Sequence, residues 1–261
     1  MLLKDKVIII TGVGPGMGQA MAKIAAQEGA KVAIGARKKD FLDKVVAEIK
    51  AAGGQAIAVA TDVSKREQCD ALVEATVKAF GRVDGLVNSA YAPGEMASFD
   101  AADVEGWKDS IDVTCLGAVR MAQAVAPYMK KQGGGAIVNV ATMQAQQHLP
   151  GGSLSYAVAK GALVTASRQL ASELGPFNIR VNATRMGWLW GETVRNALEG
   201  MAQHTGATVD AIKEGVASKI ALRVIPPEEE CAKTVLMFVS DYTKMVAGGV
   251  LDVNGGEWMA P

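Results

Sequence analysis

Tyr156 and Lys160 stand four residues apart in Tyr156-Ala157-Val158-Ala159-Lys160. In a helix that spacing puts both side chains on one face. Of the four tyrosines, only this one has a lysine four positions on. Such a pair can move a proton to or from an oxygen. When hydride adds to a ketone, negative charge builds on the oxygen, so a proton donor must stand close. A free tyrosine, with a pKa of about 10, holds its proton too tightly to cycle near neutrality. Lowering that value to about 7 requires about 4 kcal/mol of preferential stabilisation of the phenolate. A cation about 4 Å away supplies a similar amount at an effective dielectric of about 20. One lysine is therefore sufficient in principle. The competing reading is a Tyr and a Lys on a solvated helix face.

A second constellation lies near the start of the chain. Thr11-Gly12-Val13-Gly14-Pro15-Gly16-Met17-Gly18 follows the apolar run Lys6-Val7-Ile8-Ile9-Ile10 and precedes a helical pattern. Gly12 can make a tight turn, Gly16 can let backbone approach a pyrophosphate, and Gly18 can permit close helix–strand contact. An anion then sits at the helix N-terminus, where free N–H groups and the dipole favour it. A glycine pattern alone is weak, but here it lies between strand and helix, as a dinucleotide site requires. The end of the second strand reads Gly35-Ala36-Arg37-Lys38-Lys39, with no carboxylate for a ribose hydroxyl. Arg37 could bind a 2′-phosphate bidentately, so NADP(H) is favoured, with NAD(H) possible. Asp62-Val63 could contact the adenine, or Asp62 could cap the next helix.

These groups need a frame. Short β-branched runs alternate with helical patterns along the chain. Strands are expected at 6–10, 31–35, 55–60, 86–88, 136–141, 179–183 and 249–253. Helices are expected at 17–29, 39–52, 65–80, 102–129, 155–174 and 228–239, with a looser helical stretch at 192–222. Continuous apolar strands are buried on both faces, and the βαβ rhythm implies a parallel, doubly wound α/β sheet of seven strands flanked by helices. Neither a linker nor a repeat divides residues 1–261. The composition agrees: 49% of residues are hydrophobic and 21% charged, with 27 Lys plus Arg against 27 Asp plus Glu. This excludes a disordered chain and gives no basic stripe for nucleic acid. No apolar run reaches the roughly 18 residues of a membrane span. The N-terminus enters the first strand with no signal peptide, and Cys69, Cys115 and Cys231 suit reduced thiols in the cytoplasm. No spacing of His and Cys suits a catalytic metal, and there is no G-x-S-x-G nucleophile turn.

Taken together, these residues resemble the classical short-chain dehydrogenase/reductase family over nearly the whole chain. The resemblance rests on Thr11 to Gly18, Asp62-Val63, Asn88-Ser89-Ala90, Ile137 to Val140, Tyr156 to Lys160, Arg180 to Ala183, and Asp252 to Gly256. It implies a single Rossmann-type domain that pairs through long helices into a homodimer or homotetramer. It also implies that the glycine loop, with Pro15 and Met17, holds the cofactor. Lys160 would hold the nicotinamide ribose, Asn88 and Ala90 would line that ribose, and Gly187 would lie against the nicotinamide.

Where the family has a serine before the tyrosine, strand register places Thr142, with Ser153 and Ser155 as alternatives. Thr114 stands where the family often has an asparagine that holds a relay water. Tyr91 replaces a glycine and would narrow the cleft. A substrate lid is expected over about 186–222, beginning with Met186-Gly187-Trp188-Leu189-Trp190. Trp188 and Trp190, with Tyr91, Met96, Met143 and Leu149, could wall an apolar substrate pocket, or the tryptophans could pack the lid or an oligomer interface. His148, near the same mouth, reads more naturally as a surface histidine. The expected activity is interconversion of a hydrophobic secondary alcohol and its ketone. The alternatives are a catalytically weak NADPH sensor and an isomerase or dehydratase on the same scaffold.

Overall fold

The protein is described by a computed structural model covering residues 1–147 and 153–260. Its strands are β1 (Val7–Thr11), β2 (Lys31–Ala36), β3 (Gln55–Ala60), β4 (Gly85–Asn88), β5 (Gly135–Thr142), β6 (Ile179–Met186) and β7 (Val250–Val253). They form one sheet of order β3-β2-β1-β4-β5-β6-β7. Every pairing is parallel. Its helices are α1 (Met17–Gln27), α2 (Lys39–Ala51), α3 (Arg66–Phe80), α4 (Trp107–Ile111), α5 (Gly117–Lys131), α6 (Leu154–Leu174), α7 (Glu192–Thr205), α8 (Val209–Ala217) and α9 (Glu228–Met237).

Strand periodicity divides the core into two layers. Ile8 and Ile10 of β1 join Met21 of α1, Leu42 of α2 and Val235 of α9. Ile9, pointing the other way, joins Leu72 of α3, Met121 and Val125 of α5, and Leu174 of α6. Both faces are thus covered, as a parallel sheet requires. The strand order reverses between β1 and β4. The carboxyl ends of strands at such a reversal are where a doubly wound sheet binds its ligand. Among the described residues, no helix is long and apolar enough to cross a membrane. Cys69, Cys115 and Cys231 are free and buried.

The helix expected over 102–129 is interrupted. Residues 102–106 precede the helix, and Asp112–Leu116 forms a π-helical turn between α4 and α5. There the hydroxyl of Thr114 accepts a bond from Ala92 N at 3.1 Å, tying the loop after β4 to the turn. Such turns often mark functional segments. The loose stretch at 192–222 is two helices, α7 and α8, with Gly206 in the left-handed region (φ 72) ending the first.

Candidate active site

The glycine loop leaves β1 in a conformation that needs glycine. Gly12 has φ 74, and a Cβ there would stand 2.3 Å from Ala90 N, so the loops after β1 and β4 touch backbone to backbone. This contact places Ala90 against the glycine loop. A Cβ on Gly18 would lie 2.7 Å from Gly12 O and 2.9 Å from Val13 Cα. The close approach expected there is therefore to the loop itself. Gly14 faces open space, and Gly16, the N-cap of α1, has φ 146 and no side-chain capping bond. The first turn of α1 carries no acidic residue. Its free N–H groups and positive dipole end suit the phosphates of a dinucleotide.

Across the crevice, α6 starts at Ser153, whose Oγ accepts from Tyr156 N at 3.3 Å. This cap fixes the first turn and aims Tyr156 into the cleft, with Lys160 one turn later. Lys160 is buried and donates to Val140 O at 2.5 Å. Its ammonium position lies 5.7 Å from the Tyr156 ring centre and 5.5 Å from that of Tyr91. The two rings are 5.7 Å apart and tilted by 59°. Thr142 ends β5, donates to Met186 O at 3.1 Å and accepts from Gln144 N at 3.4 Å.

One cavity of about 570 Å³ joins these parts. Its walls include Gly12, Pro15, Gly16, Met17 and Gly18 at one end and Thr142, Tyr156, Lys160, Tyr91 and Gly187 at the other.

The electrostatics of the pair differ from the sequence expectation. Burial pushes the Tyr156 phenol well above its ordinary value. The Tyr91 phenol adds to the rise, and the Thr142 hydroxyl opposes it. Burial also pushes the Lys160 amine down to about 7. In the free protein, enclosure wins over attraction. An amine whose one hydrogen-bond partner is a carbonyl is driven toward neutrality, and a neutral amine cannot draw the phenol down. The lowered phenol expected from lysine alone is therefore corrected: enclosure raises the phenol and leaves the amine divided between its charged and neutral forms near pH 7.

Several expected residues lie away from this cavity. Asn88 is buried and donates to Asn139 Oδ1 at 2.9 Å and to Ala118 O at 3.3 Å. Its amide nitrogen braces β4 against β5 and α5, while its Oδ1 is buried without a partner. Val63 is buried against α5, where a Cβ on Gly117 would stand 2.6 Å from it. Asp62 accepts from Ser64 N at 2.9 Å in a local turn, and Lys65, not Asp62, is the N-cap of α3. Burial would raise the Asp62 carboxyl, but the bonds from Ser64 and the charges of Arg37 and Lys65 outweigh it and leave the value lowered. Arg37, exposed at the end of β2, is thus close enough to Asp62 to act on it. Thr114 is buried with its hydroxyl on Ala92 N, off the cavity.

The apolar wall needs the largest correction. Trp188 and Trp190 pack with Leu198, Ile220 and Ile225 in a small separate core formed with α7 and α8. Lys213 Nζ caps the Trp190 ring at 3.8 Å from its centre. Leu189, between them, faces the cavity in their place. Met143 is buried in a 3-10 turn, and its neighbour Gln144 reaches the cavity. His148 and Leu149 lie outside the described residues. Sequence reasoning missed Gln144, Leu189, Val194 and Glu228 on the cavity wall. The two-residue period at 188–190 was the available signal for Leu189. Glu228 had none, because α9 reaches the glycine loop only through the folded chain.

The family model described as Enoyl-(Acyl carrier protein) reductase matches residues 12–257. The chain belongs to the short-chain dehydrogenase/reductase family of oxidoreductases. It is 36% identical to an uncharacterized oxidoreductase of Methylorubrum extorquens, over 97% of this chain and 98% of that protein. It is 34% identical to the 3-oxoacyl-(acyl-carrier-protein) reductase FabG of Thermotoga maritima, over 98% of this chain and 99% of that one. Among solved structures, the L-sorbose reductase of Gluconobacter frateurii, complexed with NADPH and L-sorbose, superposes with a TM-score of 0.93. The two are 30% identical, and the match covers 100% of both chains.

Proposed function

We propose that this chain interconverts a secondary alcohol and its ketone with NADP(H), using Tyr156 as the acid and base. The observation that carries the reading is the single cavity joining the glycine loop to Tyr156, Lys160 and Thr142. A bound nicotinamide cofactor supplies or accepts the hydride. The loop from Gly12 to Gly18, with Pro15 and Met17, would hold its phosphates on the N-terminus of α1, and Gly187, on the cavity wall, would lie against its ring. Arg37 binds the 2′-phosphate; the absence of a carboxylate at the end of β2 supports this, as does an NADPH-bound relative in the same fold.

In the reducing direction, Tyr156 donates its proton to the oxygen that becomes the alcohol. The resulting phenolate needs a cation beside it, and Lys160 takes a proton from solvent water as that charge forms, so the two titrate as a unit. The hydroxyl of Thr142 holds the substrate oxygen against Tyr156, with Ser153 as the second hydroxyl on the cavity wall. Thr114 acts through the loop after β4, which carries Tyr91 to the cavity. Tyr91, Met96, Leu189 and Val194 receive an apolar body, and Gln144 gives the pocket one polar corner.

The remaining readings follow from the same frame. Residues 1–261 act as one domain, and 186–222 form the substrate lid, stiffened by Trp188 and Trp190. Two copies pair through α5 and α6; what supports this is an apolar groove of about 640 Å³ there, lined by Val119, Ala126, Pro127 and Leu170. The cytoplasm, where thiols stay reduced, is the compartment that suits three free cysteines. The test is a panel of apolar ketones with NADPH, followed by absorbance. Tight NADPH binding with no turnover on any member would favour a cofactor sensor instead.

A further inference from the structure

Glu228, the first residue of α9, extends its carboxylate into the phosphate end of the cavity. The loop between β6 and α7 brings it there. Trp190 N donates to Pro226 O at 2.8 Å, and Trp190 pairs with Pro227 in a short parallel bridge. This fastens the start of the lid to the residues just before Glu228. The carboxylate then fills space that two glycines leave open. Its Oε2 lies 3.3 Å from where a Cβ on Gly16 would be, and 2.0 Å from where one on Gly191 would be. A carboxylate therefore stands beside the N-terminus of α1, in the same cavity as Gly14 and Gly16.

That placement conflicts with the chemistry of the loop. If phosphates bind there, a carboxylate anion would face phosphate oxygens with like charge in a partly enclosed space. A carboxylic acid would instead donate its proton to a phosphate oxygen. Resting on the NADP(H) reading above, we propose that Glu228 binds the cofactor as a neutral acid, so that docking of the phosphates places a proton on it.

The surroundings favour this. Burial raises the Glu228 carboxyl, Glu229 beside it on α9 and Glu192 on α7 raise it further, and Arg195 of α7 opposes them. The first turn of α1, Met17-Gly18-Gln19, brings no charge. Lys160 and Tyr156 lie in the same cavity. Among the described residues, no ion pair holds the Glu228 carboxylate.

The experiment is calorimetric titration of the protein with NADPH at pH 7.5, in buffers of different ionisation enthalpy. At that pH the 2′-phosphate, with a second pKa of about 6, is already ionised. Lys160 titrates in every variant, so the readout is the difference between wild type and Glu228→Gln. The wild type should take up more protons than Glu228→Gln, by up to about one. Between pH 7 and 8 its Kd should rise by up to about tenfold more steeply than that of the variant. Glu229 and Glu230 remain in the first turn of α9, so the substitution leaves that helix end acidic.

Gly191→Ala is the second variant. Residue 191 has φ −150, which alanine adopts, and the added methyl would displace the Glu228 oxygen. It should lose the extra proton too. Proton uptake and pH slopes equal to wild type in both variants would overturn the proposal and leave the NADP(H) reading standing. No NADPH binding by the wild type would overturn both.

Discussion

Lys160 makes the free protein more stable as pH rises through neutrality, and the size of that effect follows from its enclosure. Its amine falls from the ordinary lysine value of 10.5 to about 7 on folding. The unfolded chain therefore binds more protons than the native one between those values, and the sign of the linkage is positive: stability increases with pH across that window. Below about pH 7 the native state carries a buried ammonium and the gain is absent. For a single site with these two values, the contribution grows by about 1.4 kcal/mol between pH 6 and pH 8. Burial raises Cys69 and Cys231 to about 11, and Cys115 is raised as well, so above about pH 8.5 their unfolded thiols ionise first and oppose the trend. Urea unfolding of wild type and Lys160→Met, at one protein concentration and at pH 6, 7 and 8, isolates the lysine. The substitution also removes the bond to Val140 O, but that loss shifts the whole curve and does not tilt it. The difference between the two proteins should change by about 1.4 kcal/mol across the window, in favour of wild type at pH 8. Parallel curves would refute the reasoning, because they would mean that Lys160 keeps the same charge in the native state from pH 6 to pH 8.

Three further outcomes are expected. Tyr156→Phe should lower kcat by about two to four powers of ten in a ketone reduction assay, with the NADPH Kd within about twofold of wild type by fluorescence titration. Arg37→Ala should weaken NADPH by roughly 10- to 100-fold, the value of a charge-assisted bond, while NADH changes by less than about twofold in the same titration. Gly12→Ala places a methyl 2.3 Å from Ala90 N at a residue with φ 74, so it should cost about 3 kcal/mol or more in thermal or urea unfolding.

Most of the fold was legible because it is written in local periodicity. The seven strands and their order of appearance follow from continuous β-branched runs, since a strand buried on both faces has no polar side to obscure it. The break at Asp112–Leu116 was not legible. Its cause is a contact between Thr114 and Ala92, 22 positions apart in sequence, and the pattern of apolar residues runs through the turn without change. The site divides in the same way. Tyr156, Lys160 and the glycines were readable because their spacing is local and their environment is a helix start. Trp188 and Trp190 could not be placed by residue type, which suits a ligand wall and lid packing equally, and they pack against α7 and α8. Asn88 could not be placed from its type alone, because its amide nitrogen bonds Asn139 of β5, 51 positions away.

The cavity shows why its chemistry could not be read from one segment. The β1 and β4 loops meet because Gly12 has no Cβ, and that contact sets the phosphate end against the loop that carries Tyr91. Tyr91 then lies over the same Lys160 that Tyr156 uses, and its phenol helps to hold the Tyr156 proton in place. The rise in the Tyr156 pKa is thus partly a consequence of a residue 65 positions earlier, brought near by a glycine 79 positions earlier still. A protonated phenol beside an amine whose charge enclosure disfavours is what such crowding produces. In the mechanism proposed above, charge separation between them becomes favourable only when the reacting oxygen offers the phenol's proton somewhere to go, which would tie ionisation of the pair to the chemical step.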